Sequence, residues 1–257
     1  MNLQIVNEIS LWLAEYLRGN NLDCFVVGVS GGIDSALVST LCAHSGIPTY
    51  VLNMPIHSKK ENTRLSSLHC QWLTSRFSNV MVMEADLTET YDCFKNKLAP
   101  STGGHELSLA NSKSRLRMMA LYYIAGSNRG LVVGTGNKVE DFGVGFFTKY
   151  GDGGVDISPI ADLTKTQVRK LSAILGISQE ILSATPTDGL WEDSRSDEEQ
   201  IGATYEELEW AMSHKNEPSV AELTERQKQV LVIYDSYNQK NKHKMLPIPV
   251  FKLKDNF

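Results

Sequence analysis

Apolar residues follow two habits along this chain. Some form short unbroken runs, and others recur every three or four positions over longer stretches. The runs at 26–29, 49–52, 80–83 and 131–133 read as strands buried on both faces. Between them, 34–44, 59–76 and 108–126 have the length and spacing of crossover helices, so strand and helix alternate and a parallel sheet is expected. A helix over 3–17, with Ile5, Val6, Ile9, Leu13 and Leu17 on one face, precedes the first strand and stops at Gly19-Asn20-Asn21. The pattern changes after the fourth run. Residues 142–156 are rich in glycine and aromatics, and 163–175 reads as a helix opened by Thr164. The polar, acidic stretch 186–200 has the composition of a mobile loop, with 188–200 the candidate lid. Helices are expected over 204–212 and 219–238, followed by a basic tail, Lys240-Asn241-Lys242-His243-Lys244. Without an internal repeat or a Pro/Gly/Ser-rich linker, one domain over 1–257 is the expectation.

Composition narrows the class. The 257 residues, 42% of them hydrophobic, suffice for one large α/β domain, and no run reaches the roughly 20 apolar residues of a membrane span. The N-terminal pattern, with Glu8 and Glu15, indicates neither secretion nor organelle import, so the cytoplasm is the expected location. Cys24, Cys42, Cys70 and Cys93 lack C-x-x-C spacing and fall in core-like segments, which argues against disulfides, zinc or a thiol nucleophile. A formal charge of −5 gives no general attraction to nucleic acid, so an anionic ligand must be held by a local arrangement.

The first such arrangement follows the first strand. Gly28-Val29-Ser30-Gly31-Gly32-Ile33-Asp34-Ser35 places two adjacent glycines before a helix, so backbone N–H groups can turn toward a polyphosphate. It lacks the lysine of a Walker A loop and carries Asp34 instead. The plainer reading is a helix start capped by Asp34 or Ser35. A second loop, Gly134-Thr135-Gly136-Asn137-Lys138-Val139-Glu140-Asp141, emerges at the same sheet edge. Glu140 with Asp34 has the oxygen chemistry for Mg²⁺ on phosphates, and the alternative is that Glu140 and Asp141 are solvated loop acids. The third stretch runs from Phe146 to Asp156. Its glycines suit a close approach of chain and ligand or a tight structural turn, with Lys149 available to an anion and Asp156 to a ribose or amide. Arg115 and Arg117 on a helix, and His243 and Lys244 in the tail, by themselves read as solvated basic groups.

Taken together these stretches resemble the ammonia-dependent NAD synthetases of the N-type ATP pyrophosphatase superfamily. The S-G-G-x-D-S turn carries the superfamily, and Phe-Phe-Thr-Lys-Tyr-Gly-Asp-Gly-Gly at 146–154, with Asp156, Pro159, Leu163-Thr164-Lys165, Pro186-Thr187 and His243-Lys244, carries the family. The resemblance implies a Rossmann-like, adenine nucleotide alpha hydrolase-like fold with a five-stranded parallel sheet flanked by helices. It implies ATP binding by Gly28, Val29, Ser30, Gly31, Gly32, Ile33, Asp34, Ser35, Thr135, Lys165 and Thr187, with Mg²⁺ on Asp34 and Glu140, and Asp34 and Lys165 as the catalytic pair. Arg115, Lys149, Asp156, His243 and Lys244 would contact deamido-NAD, and the protein would be a homodimer with that site near the interface.

The implied reaction is attack by the deamido-NAD carboxylate on the α-phosphate of ATP, with release of pyrophosphate, followed by displacement of AMP by ammonia. The synthetase pattern fills the chain and leaves no room for a glutaminase domain, so free ammonia is the expected nitrogen donor. A tRNA-thiolating relative would show a basic face or a cysteine motif, and a non-catalytic sensor would have no need of both Asp34 and Glu140.

Overall fold

The computed structural model describes residues 3–102, 105–187, 196–214 and 223–253. Helix α1 (Leu3–Gly19) precedes a βα alternation: β1 (Cys24–Gly28), α2 (Ile33–His44), β2 (Thr49–Asn53), α3 (Lys60–Arg76), β3 (Val80–Glu84), α4 (Thr88–Thr102), α5 (Glu106–Ser127) and β4 (Gly130–Val132). The strands form a parallel sheet in the order β3-β2-β1-β4. Alternation along β1 explains the layers. Phe25 and Val27 face α1, α2 and the later α6 (Lys165–Ile174), together with Leu13, Leu37, Leu41 and Leu171, whereas Cys24 and Val26 face Leu121 and Ala125 of α5. Both sides of the central strand are thus sealed by apolar helix faces.

The sheet has four strands where five were expected. Beyond β4 the pairing shrinks to a single parallel bridge, Val133 to Ile157, and Pro159 soon follows with no N–H to extend a ladder. The run at 80–83 is not buried on both faces either. β3 lies at the sheet edge, and Met81, Val82 and Met83 are exposed. Helix α4 was not foreseen; Cys93, on this helix, is exposed, unlike the other three cysteines.

The second half adds further helices, some of which meet the glycine turn that follows β1. A π-helical segment, Lys138–Val144, follows β4, then come α6, α7 (Gln179–Leu182), α8 (Asp197–Ile201), α9 (Tyr205–His214) and α10 (Glu225–Met245). Val139, Val144, Ile201, Tyr205, Leu208, Val230 and Tyr234 form a separate small core that fastens α9 and α10 to the π segment. α10 begins later than the pattern suggested and continues through the expected tail, so His243 and Lys244 occupy its last turn, where cations suit the helix dipole. Residues 219–222 of that predicted helix and 188–195 of the predicted loop lie outside the described residues. Among the described residues no helix is long and apolar enough to cross a membrane.

Candidate active site

The glycine turn sits where β1 ends, against the N-terminus of α2. Gly31 has φ +89°, and a Cβ there would lie 2.6 Å from the Asn62 carbonyl oxygen of α3, so neither backbone nor space admits a side chain. Two serines brace the turn: the Ser30 N–H donates to Ser35 Oγ (3.2 Å), which donates to the Gly32 carbonyl (2.9 Å), while the Gly32 N–H donates to Ser30 Oγ (3.3 Å). Gly32, at the N-cap, has no side chain to cap α2, so the N–H groups of its first turn are left to an anion or to solvent. Ser35 therefore braces the turn, and Asp34 is engaged elsewhere.

Asp34 turns toward α6. Lys165, fully buried, donates to Asp34 Oδ2 at 2.6 Å and to Glu140 Oε1 at 2.9 Å, which joins the glycine turn, the π segment and α6 in one cluster. Lys165 occupies the first position of α6, a poor place for a cation on dipole grounds, and the two carboxylates offset this. Burial opposes its charge, but Asp34 and Glu140 outweigh burial and hold its pKa above the ordinary lysine value. Burial likewise raises Asp34, with Lys165 and Asn137 opposing. For Glu140 the burial effect is overcome by Lys165, Tyr205 and Asn137, which leave it below the usual carboxylate range.

Two residues of this cluster escaped the sequence reading. Asn137, completely buried, accepts from the N–H groups of Val139 and Glu140 (3.1 Å each) and donates to Asp34 Oδ1 (3.1 Å), so it caps the π segment and ties it to the glycine turn. Its signal was its place within the second loop, between Gly136 and Glu140, a cap position. Tyr205 donates its hydroxyl to Glu140 Oε1, and Lys165 Nζ stands 4.6 Å from its ring centre. It begins α9 just after Thr204, which exchanges hydrogen bonds with Glu207, and nothing local in the sequence marked the tyrosine as a site residue. Glu140 is thus no solvated loop acid. Asp141 lies beside Gly136, and burial together with Glu140, Asp152 and Asp34 raises its carboxyl well above the ordinary value.

The third stretch folds as a tight loop and also forms part of a basic corner. Asp152 accepts from Ser114 Oγ (2.7 Å) and the Thr148 N–H (3.0 Å), pinning the loop to α5. Around it, Arg115 Nε donates to the Lys149 carbonyl (3.3 Å), Lys149 Nζ to the His243 carbonyl (3.0 Å) and Lys244 Nζ to the Phe147 carbonyl (2.6 Å). Arg115, Lys149, His243 and Lys244 are therefore neighbours, and the fold unites them from three elements. Asp156 is set apart: it accepts from the Val132 N–H (2.8 Å) and from the Tyr122 hydroxyl (2.9 Å) at the edge of β4. Arg117 is no solvated cation, since its Nε holds the Met54 carbonyl at 2.9 Å beyond β2. Thr135 follows β4 within the second loop, and Thr187 lies beyond α7 at the end of a described segment.

The cluster fits a magnesium ion shared with a nucleotide. It offers hard carboxylate oxygens and carries one ammonium for two carboxylates, hence a residual negative charge beside a turn built for an anion. Among the described residues no group of three or more His, Cys, Asp or Glu could hold a metal by itself, and Asp34 and Glu140 are the residues that would hold Mg²⁺, an ion that takes one or two carboxylates with phosphate oxygens and water.

An anion-cradling turn at the carboxyl ends of a parallel sheet, next to a buried acid–lysine cluster and a basic corner, defines a nucleotide-binding α/β protein. The sequence profile of the family described as NAD synthase matches residues 5–247. An NH(3)-dependent NAD(+) synthetase of Mesoplasma florum is 38% identical over 77% of this chain and 79% of its own length, and one of Finegoldia magna is 35% identical over 84% and 87%. The solved structure of an NMN synthetase from Francisella tularensis superposes with a TM-score of 0.83 at 28% identity, covering 99% of this chain and 98% of that one. The chain belongs to the NAD synthase family, and is a ligase of the ammonia-dependent NAD synthetase type.

Proposed function

We propose that the protein amidates deamido-NAD with ammonia at the expense of ATP, giving NAD, AMP and pyrophosphate through an adenylated carboxylate. The observation that carries this reading is the Asp34–Lys165–Glu140 cluster beside the glycine turn, joined through the second loop to a basic corner suited to a second anionic substrate. Gly28 to Ser35 cradle the ATP phosphates, Thr135 and Thr187 make further nucleotide contacts, and Asp34 and Glu140 are the residues that would hold Mg²⁺. When bound, that ion screens the negative charge of the phosphates.

The remaining chemistry falls to the chain's own groups. Arg115, Lys149, His243 and Lys244, with Asp156, bind and orient deamido-NAD so that its carboxylate faces the α-phosphorus. A carboxylate oxygen bonds to that phosphorus as its bond to the bridging oxygen breaks, and pyrophosphate departs. Lys165, kept charged by its two carboxylates, donates to the phosphate oxygens on which charge develops, a contribution worth about 3–4 kcal/mol per well-placed donor in other enzymes. Ammonia then bonds to the carbonyl carbon, the bond to AMP breaks, and the nitrogen gives up a proton. Free ammonia is the nitrogen source in this reading.

The protein pairs as a homodimer in this reading. Leu107, Met119 and Tyr123 on α5 and Phe94 and Leu98 on α4 present large apolar side chains to solvent, and α5 also carries Arg115 and Tyr122, which supports an acceptor site near that face.

The likeness to an NMN synthetase favours a second reading, in which the acceptor is the mononucleotide acid that lacks the AMP half. The test is pyrophosphate release from ATP, Mg²⁺ and ammonia with no acceptor, with deamido-NAD, and with nicotinate mononucleotide. Dependence on deamido-NAD with the larger kcat/KM supports the main reading, preference for the mononucleotide supports the second, and release indifferent to both sinks each of them.

A further inference from the structure

Asn53 is the last residue of β2, at the sheet edge where the nucleotide is proposed to lie. Its neighbours fix the direction of its side chain. Leu52 and Met54 pack with Cys24, Val26 and Ala125 on the α5 side, whereas Val51 packs with Ala43, Cys70 and Leu73 of α2 and α3, so alternation places Asn53 on the α2/α3 face. The register pairs Gly28 with Leu52, and the Val29 N–H donates to the Leu52 carbonyl at 2.8 Å, so Asn53 stands one strand spacing from the point where β1 enters the glycine turn. On the same face α3 closes against that turn, through the Asn62 carbonyl and Ser66 beside Gly31.

Asn53 is 7% exposed, and among the described residues its side-chain nitrogen finds no hydrogen-bond partner. Its backbone carbonyl accepts from the Ala85 N–H at 2.9 Å and is answered within the sheet, whereas the buried side-chain nitrogen is not. Buried donors without partners are uncommon and costly, and such a group persists where a ligand supplies the acceptor. The position beside an anion-cradling turn names that acceptor's chemistry.

We infer that Asn53 Nδ2 is a nucleotide-binding donor, hydrogen-bonded to a phosphate oxygen of bound ATP. The inference rests on the ATP-dependent reading above. Its test uses the full-length protein and Asn53→Leu, which preserves side-chain size and removes the donor, with Asn53→Ser as a second variant should leucine disturb folding. The expected result is ATP binding weakened about tenfold or more, as for loss of a hydrogen bond to a charged acceptor. Competition by inorganic pyrophosphate weakens in parallel, adenosine binding is unchanged, the KM for deamido-NAD is unchanged, and the urea midpoint of the ligand-free variant equals or exceeds that of the wild type. Equal ATP affinity in wild type and variant would overturn the inference while leaving the ATP-dependent reading intact. A wild type that fails to bind ATP would overturn both. Weakened adenosine binding with unaltered pyrophosphate competition would refute the phosphate assignment, and a lowered urea midpoint with unaltered ATP affinity would show that Asn53 serves only the fold.

Discussion

The acid–lysine cluster and the basic corner solve opposite electrostatic problems. In the cluster a buried ammonium sits between two carboxylates, with Asn137 and Tyr205 as further donors, so every charged group has a partner within it and only the excess of one carboxylate is left for a cation. In the corner Arg115, Lys149 and Lys244 donate to backbone carbonyls, which fix the direction of a cation without neutralising it. The first region is preorganised and self-screened, and the second keeps positive charge available to an anion. That difference suits a site where phosphoryl chemistry demands rigid placement and a neighbouring site that has to attract a substrate.

The largest effect is expected from Lys165→Ala. It strands two buried carboxylates, a change that costs about 3–5 kcal/mol when one partner of a buried pair is lost, and it removes the proposed phosphate donor. Single-turnover pyrophosphate release should fall by about two to three orders of magnitude, with a matching loss in urea stability. Near-normal release at saturating ATP and Mg²⁺ would erase the catalytic half of the contrast. Asn137→Ala should be milder for folding, about 1–3 kcal/mol for the unmet N–H groups, yet should slow release strongly because it frees Asp34 from the π segment. Asn137→Ser in its place, which keeps a capping oxygen, should retain part of the stability and little of the rate.

The corner should behave differently. Lys149→Ala or Lys244→Ala is expected to raise the KM for deamido-NAD about tenfold, as for one charge-assisted hydrogen bond, with the KM for ATP and the thermal midpoint nearly unchanged. Equal losses in both KM values would merge the two regions. The smallest effect is that of salt. Raising ionic strength from low to about 0.5 M should increase the KM for deamido-NAD several-fold while leaving single-turnover release at saturating substrates unaffected, because exposed charges are screened far more than buried ones.

How legible all this was depends on range. The S-G-G-x-D-S turn, the βα alternation and the Thr164 cap are local, and each was readable because spacing along the chain sets it. β3 was misjudged since four apolar residues look alike in a central and an edge strand, and the fifth strand was anticipated from a resemblance that this chain satisfies with a single bridge. Asn137 and Tyr205 gave weak signals for a common reason: their roles are partnerships, with Asp34 at 103 positions from Asn137 and Glu140 at 65 from Tyr205.

The sequence by itself determined the alternation of strands and helices, the turn that only glycine at position 31 can make, and the identity of Asp34, Glu140 and Lys165 as the groups to watch. Only the tertiary structure decided that Lys165, 131 residues beyond Asp34, lies buried between the two acids, that Arg117 braces β2, and that His243 and Lys244 end a helix against the 146–154 loop. The physical reason is that propensity and capping act over a few residues. Charge pairing and burial depend on which elements the parallel sheet brings to its carboxyl edge.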